Sequence, residues 1–250
     1  MSNQKSNCYV DVVGGLGNQI FIIAAGYAYA KRHDKNLIVN DSNWSACQGN
    51  HPSGYRSNIF KNFQFGSITS NPTVIAEKRA NYDELPYIEG DVILSGYFQS
   101  LKYFEDCKDE FIELLELPVI RPEMDKVAVH IRRGDYLKYA HIHYVCNTDY
   151  FEKQFIRFNP KYVDVFTDSP DYVRNEFKHR TLNIITGNTE LEDLALMSQY
   201  DKIICSNSSF SWWASLLGVK KKQIVVPDVW LIGQDCSDFY RPEMTILRTS

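Results

Sequence analysis

The sequence lacks the signatures of several common chemistries. Its six cysteines (Cys8, Cys47, Cys107, Cys146, Cys205, Cys236) form no Cys-x-x-Cys pair, which argues against a zinc site or a redox couple and fits a reducing compartment. No apolar run approaches the ~20 residues that span a bilayer. The polar start MSNQKSNCYV leads straight into a strand, and so reads as neither signal peptide nor anchor. Long basic blocks are missing and the net charge is −4; the short Lys220–Lys222 run reads as a solvated helix end, so no nucleic-acid partner is expected. Asp-x-Asp is absent, so a carboxylate-held divalent metal carrying a nucleotide diphosphate is not signalled. There is no G-x-x-x-x-G-K-[ST] and no G-x-S-x-G, which excludes a P-loop ATPase and a nucleophile elbow. Repeats and low-complexity segments are also missing. These absences together predict a soluble, cytoplasmic protein without a transmembrane segment.

What is present is a core-forming chain, 44% hydrophobic and 14% aromatic over 250 residues, long enough for one large or two small domains. Tyr9–Val13 reads as a strand, Gly14, Gly15 and Gly17 as a loop, Asn18–Lys31 as a helix and Leu37–Asn40 as a second strand. This unit opens a Rossmann-like domain. Residues 41–71 read as loop with short helices. Val92–Tyr97 is a further strand, and Leu101–Leu117 an amphipathic helix with Phe104, Phe111, Leu114 and Leu115 on its apolar side. Prolines in LPVIRPEMD then mark a domain boundary. Beyond it, strands at 127–132, 163–167, 182–186, 202–206 and 223–226 alternate with helices at 149–158, 170–178, 190–200 and 208–218, the pattern of a parallel sheet covered on both faces. The expected domains are 1–120, 121–226 and an irregular C-terminal segment, 227–250, packing back on the first.

Five stretches carry chemistry. Lys126–Tyr136, KVAVHIRRGDY, is an alternating strand that delivers Arg132 and Arg133 to its carboxyl end, where open α/β sheets bind ligands. Paired guanidiniums suit phosphate or pyrophosphate. The alternation puts His130 with Arg132 on one face and Arg133 on the other. The Gly15-Leu16-Gly17 loop begins a dinucleotide fingerprint, with Asp41 at the end of the second strand, but Ile20 replaces the third glycine, so NAD is not expected. Asn18 there either caps the helix or holds a substrate hydroxyl. Asp168, after a strand, either caps the next helix or accepts from a ligand. Glu192 and Asp193 read as helix-start charges. Cys205–Ala214, CSNSSFSWWA, places Ser208 and Ser209 at a helix N-terminus, a ready anion site.

These pieces, taken in order, resemble glycosyltransferase family 11, the α-1,2-fucosyltransferases, within the wider fucosyltransferase superfamily. They are Gly14–Gln19, His130–Tyr136, Phe166–Asp168, Asp193–Ser198 and Ser206–Trp213. The resemblance implies an α/β fold of the GT-B-like class, two Rossmann-like domains facing a cleft. It implies transfer of L-fucose from GDP-β-L-fucose to a glycan hydroxyl, the 2-OH of galactose, with inversion and without metal. No cofactor is expected beyond GDP-fucose as donor substrate. By matching position, Arg132 would bind the β-phosphate and Arg133 would support the loop or the diphosphate. His130 and Asp193 would contact guanine, and Ser208 and Ser209 phosphate or fucose. Gly15, Gly17 and Asn18 would come from the first domain, and Asp168 would serve donor binding or structure. Asp135 and His143 are the candidates to take the acceptor's proton. The chain departs from the family at Ile22 and in its compact first domain, so the acceptor side is where it would differ. The alternatives are another sugar from a GDP donor, or a non-catalytic nucleotide- or glycan-binding module.

Overall fold

The computed structural model describes residues 5–40, 54–120, 126–218 and 222–249. Asp41, Cys47, Lys220 and Lys221 lie outside them. The chain divides into two compact units, 1–117 with 237–239, and 118–236 with 240–250.

The first unit is a five-stranded parallel sheet in the order β3-β2-β1-β5-β4. Its strands are β1 (Asn7–Asp11), β2 (Asn36–Asn40), β3 (Phe65–Gly66), β4 (Thr73–Ala76) and β5 (Val92–Ser95). Helix α1 (Leu16–Arg32) crosses from β1 to β2 and is buried along most of its length. Ile20 occupies the place of the third fingerprint glycine and is fully buried. Close approach of helix to sheet comes later, at Gly26, where a Cβ would stand 2.4 Å from Val10 Cγ1 and 2.9 Å from Leu37 Cδ1.

The expected Leu101–Leu117 helix is instead two 3-10 turns, Leu101–Tyr103 and Glu105–Cys107, followed by the short helix α2 (Lys108–Leu114). Phe104 causes the break. Its backbone leaves helical geometry (φ −139°, ψ 16°) while its ring packs edge-on to Phe21 and tilted to Phe111. The edge strands β3 and β4 went unread in sequence because one has two residues and the other buries only Ile75.

The second unit holds a six-stranded parallel sheet in the order β11-β10-β9-β6-β7-β8. Its strands are β6 (Lys126–Ile131), β7 (Tyr162–Thr167), β8 (Asn183–Ile184), β9 (Lys202–Ile204), β10 (Gln223–Pro227) and β11 (Met244–Leu247). The helices are α3 (Thr148–Phe158), α4 (Pro170–Glu176), α5 (Glu190–Ser198) and α6 (Ser209–Leu216). On one face Val127, Val129 and Ile131 pack with Tyr150, Phe151 and Phe155 of α3 and Val173 of α4.

Helix ends are set locally. Asn147 accepts from the Tyr150 N–H, and Thr189 and Glu192 form a reciprocal capping box. Residues 227–250, expected to be irregular, contribute β11, paired in parallel with β10. Ser237–Phe239 groups with the first unit and the rest with the second. Lys222 is no solvated charge: its Nζ donates to the carbonyls of Ala214 (2.7 Å) and Leu217 at the end of α6.

The second sheet reverses its winding direction once: the chain winds outward from β6 through β7 to β8, then outward the other way from β9 through β10 to β11, so the reversal falls between β6 and β9. The first sheet winds from β1 through β2 to β3, re-enters at the far edge strand β4 and comes back to β5 beside β1. The carboxyl ends flanking such a reversal are where open parallel sheets take ligands.

Candidate active site

Strand β6 ends at Ile131 and the chain turns at Gly134. The strand's alternation persists through the two arginines and sends them to opposite faces. Arg133 goes with Val127, Val129 and Ile131. Its guanidinium carbon lies 3.7 Å from the Tyr172 ring centroid, and Nη1 donates to the Cys146 carbonyl at 3.4 Å. Arg132 goes with His130. Its Nη2 lies 2.7 Å from Asp135 Oδ1 and its Nε 3.1 Å from Asp168 Oδ2, as ion pairs. Asp135 Oδ1 is buried and receives no well-directed hydrogen bond, so its contact with Arg132 is charge attraction.

Asp168 is the clamp of this loop. One carboxylate oxygen accepts the Arg133 N–H at 2.9 Å and the Ser169 hydroxyl at 3.1 Å, while the other faces Arg132. Gly134 makes the approach possible: a Cβ there would meet Asp168 Oδ2 at 2.6 Å. Asp168 is neither the N-cap of α4, which is Ser169, nor a free acceptor.

The β6–β9 reversal is bridged by hydrogen bonds. The Ser206 N–H donates to the His130 carbonyl (3.1 Å), and the Arg132 N–H donates to Ser206 Oγ (3.3 Å). His130 Nδ1 lies 2.9 Å from the same oxygen. His130 is 6% exposed, and burial, with Arg132 nearby, pushes its pKa down to about 3, so the ring is neutral. Two residues on, Ser208 caps α6 and accepts the Phe210 N–H, with Ser209 the first helical residue.

Tyr136 joins the arginine loop to this helix start. Its hydroxyl donates to the Asn207 carbonyl at 3.0 Å, and its ring stacks on His143 with centroids 4.2 Å apart and planes 10° off parallel. His143 is half-buried; burial lowers its pKa, against the pull of Asp135. On α5, Glu192 is spent in the capping box. Asp193 is half-buried, accepts from the Asn188 amide at 2.9 Å, and has its pKa raised by burial and by Glu192 and Glu190.

Beyond the carboxyl ends of the neighbouring strands β1 and β5 the bridge is an amide pair, Gln99 Nε2 donating to Asn18 Oδ1 at 2.6 Å. Asn18 does not cap α1, whose N-cap is Gly15 with no side-chain bond. Gly15, Gly17 and Asn18 thus belong to the first unit. His130, Arg132, Asp135, His143, Asp168 and Ser208 gather in the second, with Arg133 on the opposite face of the sheet. Sequence reasoning missed Ser206, Gln99 and Tyr136 as parts of the two bridges. For Ser206 the signal was its place at the end of the strand read at 202–206, just before a helix start; that strand, β9, pairs with the arginine strand β6. Among the described residues no cluster of His, Cys, Asp or Glu could hold a metal ion, and no helix is long and apolar enough to cross a membrane.

The solved structures of similar fold include the alpha-1,6-fucosyltransferase NodZ co-crystallized with GDP. It is 14% identical, with a TM-score of 0.57, over 86% of this chain and 93% of that one. The likeness gives the fold class, GT-B-like. Among curated proteins, an alpha-1,2-colitosyltransferase of Escherichia coli is 28% identical over 91% of this chain and 93% of its own length. The O-antigen biosynthesis glycosyltransferase WbnK of the same species is 25% identical over 92% of this chain and 96% of its own length. Residues 58–247, which contain the arginine loop, the Asp168 clamp and the α6 start, match the description of glycosyl transferase family 11, and the chain belongs to that family of glycosyltransferases.

Proposed function

We propose that the protein transfers L-fucose from GDP-β-L-fucose to a glycan hydroxyl, the 2-OH of a galactose, with inversion and without a metal. The observation that carries this reading is the joint placement of Arg132 and the α6 start, held together across the β6–β9 reversal by the Arg132 N–H on Ser206. A guanidinium and a helix N-terminus on one sheet end suit a diphosphate. In the resting site Asp135 and Asp168 occupy the guanidinium; the departing diphosphate would take over from Asp135. Arg133, stacked on Tyr172, supports the loop.

Inversion needs the acceptor oxygen to attack the anomeric carbon opposite the diphosphate and to give up its proton. Two groups are candidates, and their states differ. Asp135 is paired with Arg132, whereas His143 is held toward its neutral form and has a ring nitrogen able to take a proton. We assign the base role to His143 and the alignment of Arg132 to Asp135. His130 and Asp193 would face the guanine. Asn18 and Gln99 would offer amide groups to sugar hydroxyls.

A second reading, transfer of colitose from its GDP form, is favoured by the relative named an alpha-1,2-colitosyltransferase. One experiment separates them: purified protein, excess chelator, a galactoside panel, and GDP-fucose, GDP-colitose or GDP-mannose as donor, with NMR of the product's linkage and anomeric configuration. The expected product is an α-1,2-fucoside. Turnover with GDP-colitose alone would select the second reading, and strict dependence on Mg or Mn would overturn the arginine-based account of leaving-group charge.

A further inference from the structure

The hydroxyl of Ser206 is fully buried and sits between two groups. It accepts the Arg132 N–H and lies 2.9 Å from His130 Nδ1. A serine hydroxyl has one proton to give. If His130 carried its proton on Nδ1, Ser206 Oγ would receive two hydrogen bonds, and its own proton would find no acceptor among the described residues. An unmade buried bond of this kind is costly. If the imidazole proton is on Nε2, every group that meets at the hydroxyl is satisfied: Arg132 donates to Ser206, and Ser206 donates to Nδ1. Phe210, 5.5 Å away and tilted by 30°, covers the ring. Nε2–H is then a donor without a partner among the described residues, on a side chain more than nine-tenths buried.

We propose that Ser206 is a positioning residue that fixes His130 as a neutral Nε2–H donor aimed at an acceptor oxygen of the bound GDP-sugar. The ligand half of this inference rests on the nucleotide reading given above; the tautomer half does not. The arrangement differs from a cationic clamp. A neutral donor satisfies a carbonyl or phosphate oxygen without adding charge beside Arg132, whose own charge is left for the diphosphate. Because the same oxygen holds the Arg132 backbone, one hydroxyl sets both the arginine's position and the histidine's tautomer. The burial that keeps His130 neutral also keeps the donor in one state across the physiological range.

The test combines nitrogen NMR of the imidazole with titration of GDP binding, on the wild type, Ser206→Ala and Ser206→Thr. In ligand-free wild type, long-range proton–nitrogen correlations should place the His130 proton on Nε2 at pH 7, unchanged at pH 5.5. Ser206→Thr keeps a hydroxyl and should keep both tautomer and affinity. Ser206→Ala should lose the single tautomer and weaken GDP binding about tenfold, as expected for the loss of one well-placed bond. A proton on Nδ1 in the wild type, a charged His130 at pH 5.5, or a Ser206→Ala variant with unchanged tautomer and affinity would overturn the proposal. Wild type that shows the Nε2 tautomer but binds no GDP would sink the nucleotide reading and leave the Ser206–His130 assignment standing.

Discussion

The loop after β1 and the loop after β6 occupy the same place in their sheets. Each follows the first strand of its sheet, and each is tied to the segment that leaves a neighbouring strand, β5 in the first and β9 in the second. Their chemistry differs completely. The first tie is a pair of amides, Asn18 and Gln99, over a glycine loop with no ionisable side chain. The second is a serine joined to a neutral histidine, beside an arginine held between two carboxylates. Amides both donate and accept, which suits sugar hydroxyls, while the arginine end suits a diphosphate. The same topology therefore gives one end shaped by packing and another shaped by charge. Substitutions in the packing beneath the first should register in stability, and at the second in turnover.

The largest expected effect is at the charged end. With Arg132 in its proposed role as counter-charge for the leaving group, Arg132→Ala should lower kcat by about 10²–10³-fold, or about 3–4 kcal/mol, by analogy with removal of a transition-state donor. Arg132→Lys should recover little, because a point charge cannot span two oxygens as the planar fork does. Steady-state turnover with GDP-fucose checks this, and near-wild-type rates in Arg132→Ala would erase the contrast between the two loops. In the helix that follows the first loop, Gly26→Ala forces a Cβ to within 2.4 Å of Val10 Cγ1. Overpacking of this kind costs about 1–3 kcal/mol. Thermal unfolding should show the loss, while GDP affinity of the folded fraction stays unchanged.

Acid should expose the difference as well. His130 is held near pKa 3, below its ordinary 6.5, by burial and by Arg132. The unfolded chain therefore binds the proton first as pH falls. The stability that His130 contributes is fully present above pH 6.5 and declines below it. One proton corresponds to about 1.4 kcal/mol per pH unit, hence about 2 kcal/mol by pH 5. His130→Gln should remove that part of the slope in urea titrations run at pH 7 and pH 5. An equal slope in both proteins would mean that His130 is not buried neutral.

Much of this was legible in the sequence because it follows from period and order. Alternation in KVAVHIRR placed Arg132 with His130 and Arg133 opposite, and the structure keeps that alternation to the last residue. Strands interleaved with helices gave the parallel second sheet and the β1–α1–β2 opening of the first. Other features need tertiary contacts. Asp168 reads as a helix cap or a ligand's acceptor until Gly134 is seen lying against it. Gly26 carries the close packing that the fingerprint assigns to position 20, and only the neighbouring Val10 and Leu37 reveal it. Lys222 reads as one of a solvated run, yet its amine closes the end of α6. Local pattern cannot tell a charge that meets solvent from one that meets a buried carbonyl.

The smallest effect makes the finest test, because it separates two residues adjacent in sequence. Arg133 and Arg132 share a charge and a loop. Arg133, however, lies over Tyr172 at 3.7 Å and donates to the Cys146 carbonyl, on the face opposite His130. A cation stacked on tyrosine contributes about 0.5–1 kcal/mol at a partly exposed site. The bond to Cys146, at 3.4 Å, adds little. Arg133→Ala should therefore lower stability by about 1 kcal/mol and kcat by only a few-fold, through loosening of the loop that its backbone N–H anchors to Asp168. Arg133→Met, which keeps an apolar body on Tyr172 without the charge, should recover part of the stability and leave kcat where alanine left it. If Arg133→Ala instead cost as much turnover as Arg132→Ala, with GDP affinity falling in parallel, the side chain would have to swing from Tyr172 to the diphosphate during turnover. The division of labour between the two arginines would then hold only for the ligand-free enzyme.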